Sequence, residues 1–280
     1  MKASRSTIES TYGPVDGFGQ RPGRAIPSGQ TSDETVKVAV LSDTHANLPA
    51  LETVLEECTR IDPDEIWFLG DAVGYGANPN EVVELLAGRC DLLLTGNHDL
   101  AALGEIDVST FSPDAAEAAL WTRENLDDPA RSILAGLAGP SATREGIGLF
   151  HASPRDPIWE YVLDPGTASD CMDESEARVG LIGHSHVALW FTRRDEMSRV
   201  SADGAPGGTE LDASVGSWLI NPGSVGQPRD GDPRAAWIEL DTETFAVRFH
   251  RTPYEIERAA AAIVEAGLPP NLADRLGRGT

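Results

Sequence analysis

Five times along this chain an apolar run stops on side chains able to bind metal, and that recurrence constrains the fold more than any other feature. Val38–Leu41 leads into Asp43-Thr44-His45, and Ile66–Leu69 into Gly70-Asp71. Leu92–Leu94 precedes Gly96-Asn97-His98-Asp99, Gly148–Phe150 precedes His151, and Val179–Ile182 precedes Gly183-His184-Ser185-His186. Each run reads as a buried strand. A twisted α/β sheet gathers the carboxyl ends of its strands along one edge, where open folds of this kind keep their ligands. Five such ends bring two Asp, one Asn and four or five His into one cleft. So many unshared lone pairs need a cation, and the cluster reads as a metal centre.

The remaining pattern is consistent with that edge. Val36–Leu41, Glu65–Leu69 and Asp91–Thr95 are expected strands. Between them, Asn47 with Pro49, and then Asn80, are expected to open helices. This alternation implies a mainly parallel sheet. Ser112-Pro113-Asp114 and Asp128-Pro129 open two more helices, after which strands dominate: 146–151, 178–183, 187–192, 217–220, 235–240 and 245–251. Residues 201–214 read as a hairpin loop and 254–266 as a terminal helix. The expected architecture is α/β, two sheets packed face to face and flanked by helices. Residues 1–34, rich in Gly, Ser, Thr and Pro, are expected to be disordered or loosely attached, 35–267 to form one domain, and 268–280 to be a frayed tail.

Charge narrows the partners. With 45 acidic against 22 basic residues, the formal net charge is −23. Such a surface repels phosphate backbones, so stable nucleic-acid binding is not expected. Cys58, Cys90 and Cys171 are odd in number and widely spaced, which excludes a disulfide framework and favours a reducing, cytoplasmic setting. No apolar stretch is long enough for a membrane span or a signal-peptide core. A homo-oligomer is left open.

Asp43 and His45 stand two apart, as do His184 and His186, and each pair can chelate one ion. Asp71 is suited to bridging two, because a carboxylate carries lone pairs on both oxygens. Asn97 adds a carbonyl oxygen and His151 an imidazole. Nitrogen and oxygen donors without thiolate favour Mn, Fe, Zn, Co or Ni. His250 lies outside the pattern and reads as a solvated strand residue.

In this order, Asp43-x-His45, Gly70-Asp71, Gly96-Asn97-His98-Asp99, His151 and Gly183-His184-Ser185-His186 resemble the calcineurin-like metallophosphoesterases. Three longer stretches, beginning at Gly70, His151 and Asn221, resemble their small bacterial and archaeal phosphodiesterases. The resemblance implies a four-layer αββα sandwich of two mixed β-sheets flanked by helices, and two divalent ions, manganese first. It assigns Asp43, His45, Asp71 and His186 to one ion, and Asp71, Asn97, His151 and His184 to the other. His98 would be the catalytic histidine, with Asp99 either orienting it or accepting a backbone proton. Arg155 and Arg229 are candidate phosphate contacts, weighed evenly against salt bridges on an acidic surface. Trp159 and Tyr161 could wall the cleft. The implied reaction is hydrolysis of a small phosphate ester by in-line attack, with His98 as general acid. Protein phosphatases of the family have an Arg soon after Gly-Asp and a Glu closing the Asn-His motif. Here Ala72–Gly76 has no Arg and Asp99 replaces Glu, which puts diesters ahead of monoesters. The alternative is a non-catalytic or vestigial metal-binding interaction module on the same fold. Its signature, loss of ligands, is absent from the motif positions.

Overall fold

The computed structural model describes residues 36–280; the segment 1–34 discussed above lies outside the described residues. In chain order the first half comprises β1 (Lys37–Leu41), α1 (Leu48–Ile61), β2 (Glu65–Phe68), α2 (Pro79–Arg89), β3 (Leu92–Leu93), α3 (Asn97–Leu103), α4 (Pro113–Asn125) and α5 (Asp128–Ala135). Then follow β4 (Ser141–Arg144), β5 (Ile147–Phe150), α6 (Pro165–Glu174), β6 (Val179–Ile182), β7 (Ala188–Arg193), β8 (Ser201–Gly204) and β9 (Glu210–Asp212). The chain closes with β10 (Ser217–Pro222), β11 (Ala235–Asp241), β12 (Ala246–Thr252), α7 (Ile256–Glu265) and α8 (Pro270–Leu276).

Two six-stranded sheets result, ordered β3-β2-β1-β11-β12-β9 and β4-β5-β6-β10-β7-β8. Both are mixed. In each, the parallel pairs (β1–β2 and β2–β3; β5–β6 and β6–β10) lie beside antiparallel ones, because β11 inserts antiparallel beside β1 and β7 pairs antiparallel with β10. Strand alternation sets the layers. Val38 and Val40 of β1 face inward with Trp67, meeting Ile147, Leu149, Val179, Leu181 and Ile220 of the second sheet. Ala39, Leu41, Ile66 and Phe68 face outward, against Leu51, Val54 and Leu55 of α1 and Val82, Val83 and Leu86 of α2. Across the second sheet, Ile182, Leu189, Phe191 and Leu219 meet Ala168, Cys171 and Met172 of α6. That is the αββα sandwich.

Four local expectations are corrected. Asn80 is not a cap: α2 starts at Pro79 after Asn78, and Asn80 instead bridges the Asn125 carbonyl and the Asp127 N–H. Residues 201–214 are not a hairpin loop, since β8 pairs with β7 of the second sheet and β9 with β12 of the first. The stretch crosses between sheets. Residues 268–280 are not frayed, because α8 buries Leu272, Ala273 and Leu276 against α7 and Tyr75. His250 is half-buried rather than solvated, its ring stacked on Trp237 at 4.0 Å.

Candidate metal centre

Each candidate ligand sits in the first residues after a strand or at a helix start, where the chain leaves the sheet. The two sheets are sewn together there. Asp43 and His45 donate main-chain N–H bonds to the Gly70 and Asp71 carbonyls, at 3.0 Å each. Gly183 donates to the His151 carbonyl, and Val225 and Gly226 donate back to those of Ser42 and Asp43. Ser224 Oγ also donates to the Asp43 carbonyl, at 2.7 Å, and Asn221 Nδ2 donates to the Gly183 carbonyl, at 2.7 Å. Asn221-Pro222-Gly223-Ser224, which closes β10 and opens a stretch that carried part of the resemblance, is thus the brace between the loops.

That sewing holds the backbone in costly shapes. Asp43, His45, Asp71, His184 and His186 all have positive φ, between 49° and 63°. A non-glycine residue there costs about 1–3 kcal/mol and persists only where its surroundings enforce it. Gly74 is required for another reason: a Cβ there would lie 2.5 Å from His98 Nδ1.

The two carboxylates are held alike. Asp43 Oδ2 accepts from Ser42 Oγ at 2.5 Å and from the His184 N–H at 3.1 Å, while Oδ1 is buried without a partner. Asp71 Oδ1 accepts from the His98 N–H at 2.8 Å, and Oδ2 is buried without a partner. The imidazoles are held alike too. Nδ1 of His45, His151 and His186 lies 2.9, 3.0 and 2.7 Å from the carbonyls of Val73, Leu69 and Gln227. His184 is backed by the Trp159 carbonyl. A carbonyl can only accept, so the Nδ1 atoms of His45, His151 and His186 carry the proton and their Nε2 offers a lone pair.

Those lone pairs converge. Nε2 of His45 and of His186 are 3.0 Å apart, and His151 Nε2 is 3.1 Å from Asn97 Oδ1. His45 and His151 lie 3.6 and 3.5 Å from Asp71 Oδ2, and His186 lies 3.4 Å from Asp43 Oδ1. Two groupings follow, Asp43 with His45 and His186, and Asp71 with His151 and His184, while His45, Asp71 and His98 form a third. Nitrogen lone pairs facing each other at hydrogen-bond distance with no proton to share repel. A divalent cation is the group that removes the repulsion, and the buried carboxylate oxygens supply its counter-charge. The residues fit metal.

Electrostatics agree. Burial pushes Asp43 up to about 7, against the opposing Ser42 hydrogen bond and the Arg229 charge. Burial, then Asp99 and Asp43, hold Asp71 well above the usual carboxylate range. Burial brings His184 down to about 4 and keeps His45, His98, His151 and His186 well below the ordinary imidazole value.

His98 differs from the other four. It has no carbonyl anchor, its Nδ1 is buried without a partner, and its ring lies among His45, Tyr75 and Phe111 at 4.9, 4.4 and 4.8 Å. Asp99 does not orient it. Both Asp99 oxygens are taken by the main-chain N–H groups of Asp71, Val73 and Gly96, at 2.9, 3.1 and 2.9 Å, because the third residue of α3 turns back on its own N-terminus. Asp99 therefore has no direct catalytic contact; it fixes the Gly70–Val73 loop. Arg155 is likewise not gathered into the site. It is ion-paired with Asp170 at 2.6 Å and Glu160 at 3.4 Å. Arg229 is gathered: its charge acts on Asp43, His45, His98 and His184, and its N–H donates to the His186 carbonyl at 3.1 Å. Tyr161, 48% exposed, lies 4.2 Å from the His184 ring, and Trp159, 39% exposed, meets Phe111 edge-on, so both border the opening. Tyr75 escaped sequence reading, its only signal being its place between Gly74 and Gly76.

Residues 36–243 match the calcineurin-like phosphoesterase superfamily domain. The chain belongs to that superfamily. It is 37% identical over 245 residues to an uncharacterised protein of Methanocaldococcus jannaschii, covering 85% of this chain and 96% of that one. The crystal structure of a metallophosphoesterase from Sphaerobacter thermophilus is similar at 38% identity and a TM-score of 0.80, over 88% of this chain and all of that one. A hypothetical protein of Pyrococcus horikoshii shares the fold, with a TM-score of 0.71 at 21% identity, over 87% of this chain and 98% of that one. Together with the His/Asp clusters, superfamily membership marks the chain as a metal-dependent phosphoesterase. Among the described residues, no helix is long and apolar enough to cross a membrane.

Proposed function

We propose that the chain hydrolyses phosphate diesters, ahead of monoesters, at a centre of two divalent ions. Asp43, His45, Asp71 and His186 would hold one ion, and Asp71, Asn97, His151 and His184 the other, with manganese the first choice and Fe, Zn, Ni or Co alternatives. The observation that carries this reading is the 3.0 Å contact of the two Nε2 atoms of His45 and His186, whose Nδ1 atoms are committed to carbonyls. Asp71 is the shared ligand, since His45 and His151 approach the same Oδ2 from two sides.

When bound, such a pair neutralises phosphate charge and acidifies a water. The chain does the rest. Hydrolysis joins the water oxygen to phosphorus, breaks one P–O ester bond and leaves an alkoxide that needs a proton. His98 is the histidine free to carry it: a ligating imidazole almost always has its second nitrogen anchored, and His98 alone of the five lacks that anchor. Burial holds it neutral before substrate arrives, and the phosphate anion is the counter-charge that favours its protonated form. Arg229 would fork onto phosphate oxygens, a role supported by its charge reaching Asp43, His45, His98 and His184. The diester preference rests on the missing Arg in Ala72–Gly76, because a monoester end carries more charge to neutralise.

The test is turnover of bis-p-nitrophenyl phosphate against p-nitrophenyl phosphate, with and without added Mn²⁺, on protein of measured metal content. Metal-dependent turnover with the diester faster is expected. No turnover of either, with metal bound, would favour a non-catalytic binding module.

A further inference from the structure

His45, His151, His184 and His186 each have a main-chain carbonyl behind the ring. Among the described residues His98 has none, and its Nδ1 is buried without a partner. Yet one of its ring nitrogens lies within 4.8 Å of ligand atoms of both His45 and Asp71. An imidazole so close, with no hydrogen bond to fix it, would turn into the cluster and act as one more ligand rather than as an acid. Packing has to supply the restraint that hydrogen bonding does not.

The restraint is aromatic. The Tyr75 ring lies 4.4 Å from that of His98, tilted by 45°, and the Phe111 ring lies 4.8 Å from it, tilted by 52°. Tyr75 also meets His45 edge-on at 4.7 Å. Its backbone φ is 60°, a region that a bulky residue seldom takes and that persists only where the surroundings enforce it. The flanking glycines allow the enforcement. A Cβ on Gly74 would run into His98, and one on Gly76 into the His45 carbonyl, to which the Gly76 N–H donates at 3.1 Å. The turn is thus pressed onto both histidines with the tyrosine wedged between them. Behind it, Tyr75 and Phe111 share one apolar cluster with Ala118 of α4, Ile263 of α7, and Leu272 and Leu276 of α8. Both C-terminal helices lie beyond residue 243, where the superfamily match ends. At its far end, Tyr75 Oη accepts from Arg229 Nη2 at 3.3 Å.

We propose that Tyr75 is a positioning residue with two tasks: its ring, with that of Phe111, holds His98 in place of the missing hydrogen bond, and its hydroxyl steers Arg229. This rests on the phosphoesterase reading above. The tasks separate by chemistry. Phe keeps the ring and loses the hydroxyl, whereas Leu loses both. A misplaced proton donor is felt in the chemical step, and so in kcat. A loosened phosphate contact, made alike by bound substrate and transition state, is felt in KM.

The test compares full-length wild type, Tyr75→Phe, Tyr75→Leu and Phe111→Leu on bis-p-nitrophenyl phosphate at measured metal content. Tyr75→Phe should retain most of kcat and raise KM about 2- to 5-fold. Tyr75→Leu should show the same rise in KM and a fall of about 10- to 100-fold in kcat with both ions retained, and Phe111→Leu a fall in kcat alone. A second readout needs neither metal nor turnover. In chelator-treated protein carrying isotope-labelled histidine, the His98 ring signals in NMR should be sharp in wild type and Tyr75→Phe, and broadened in Tyr75→Leu. Wild-type kcat in Tyr75→Leu overturns the proposal. So does an equal loss of kcat in Tyr75→Phe, because the hydroxyl would then act on the reaction itself. Loss of metal in Tyr75→Leu overturns it too, because the ring would then serve His45. If Tyr75→Leu does not fold, Phe111→Leu decides, and unchanged kcat with sharp His98 signals there sinks the ring's role. If wild type turns over neither p-nitrophenyl ester but the His98 signals still broaden in Tyr75→Leu, the phosphoesterase reading fails and the positioning stands.

Discussion

The two sheets contribute unlike halves to one site. The edge formed by β1, β2 and β3 brings all the negative charge, Asp43 and Asp71, together with His45, Asn97 and His98. The edge formed by β5 and β6 brings only imidazoles, His151, His184 and His186. Their rigidity also has different sources. On the first edge a buried carboxylate, Asp99, gathers three main-chain N–H groups; on the second, Asn221 holds the Gly183 carbonyl and Ser185 Oγ. Charge and shape are thus divided between sheet edges that are far apart in sequence, and two of the three ligand groupings draw on both.

The largest effect should come from the shared carboxylate. Asp71→Asn keeps the side chain's size and its bond to the His98 N–H but removes the charge, and it should abolish turnover and leave fewer than two ions per chain by elemental analysis. His151→Ala, on the second edge, should lose one ion and keep the other. Two ions retained in Asp71→Asn would break the division of labour. Next comes His98→Ala, which should keep both ions and lose about 10²- to 10⁴-fold in kcat, the range for a proton-transfer group. Undiminished turnover there would exclude the acid role.

Stability sharpens the same contrast. Asp99→Ala orphans three buried N–H groups on the first edge and should cost about 3 kcal/mol in urea unfolding. Asn221→Ala on the second edge breaks neutral bonds and should cost about 1–2 kcal/mol. Equal costs would mean that both edges are braced alike.

How much of this was legible follows from where the information lies. Motif residues after strands are local signals, because a strand's apolar run and the ligand that ends it are neighbours in the chain; hence Asp43, Asp71, Asn97 and His184 could be named from sequence. Asp99 and Arg155 were legible as residue types but not as roles. Asp99 could face its own helix start or His98, and only the turn-back of α3 decides; Arg155 had carboxylates within reach that the sequence does not place. Tyr75 belongs to the third kind. It is held through α8, whose burial against Tyr75 depends on Leu272 and Leu276 meeting a partner some 200 positions earlier. The parallel pairing of β1, β2 and β3 follows from their alternation with helices, whereas the antiparallel partner of β1 does not: β11 inserts beside it from the far end of the chain.

The most discriminating effect is the pH dependence of metal uptake. A carboxylate raised to about 7 is protonated below that pH in the metal-free protein, so Asp43 must shed a proton when a cation arrives. His184, lowered to about 4, and the other buried imidazoles are already neutral and shed none. Metal affinity should therefore weaken as pH falls from 7 toward 5, by about tenfold per pH unit for each proton displaced, and calorimetry in buffers of different ionisation enthalpy should detect proton release at pH 6. In Asp43→Asn affinity is lower throughout, and the slope from 7 to 5 should become shallower without vanishing, because Asp71, also held above the usual carboxylate range by burial, still sheds its proton. An unchanged slope in this variant would mean that the Asp43 carboxyl does not set when the site fills.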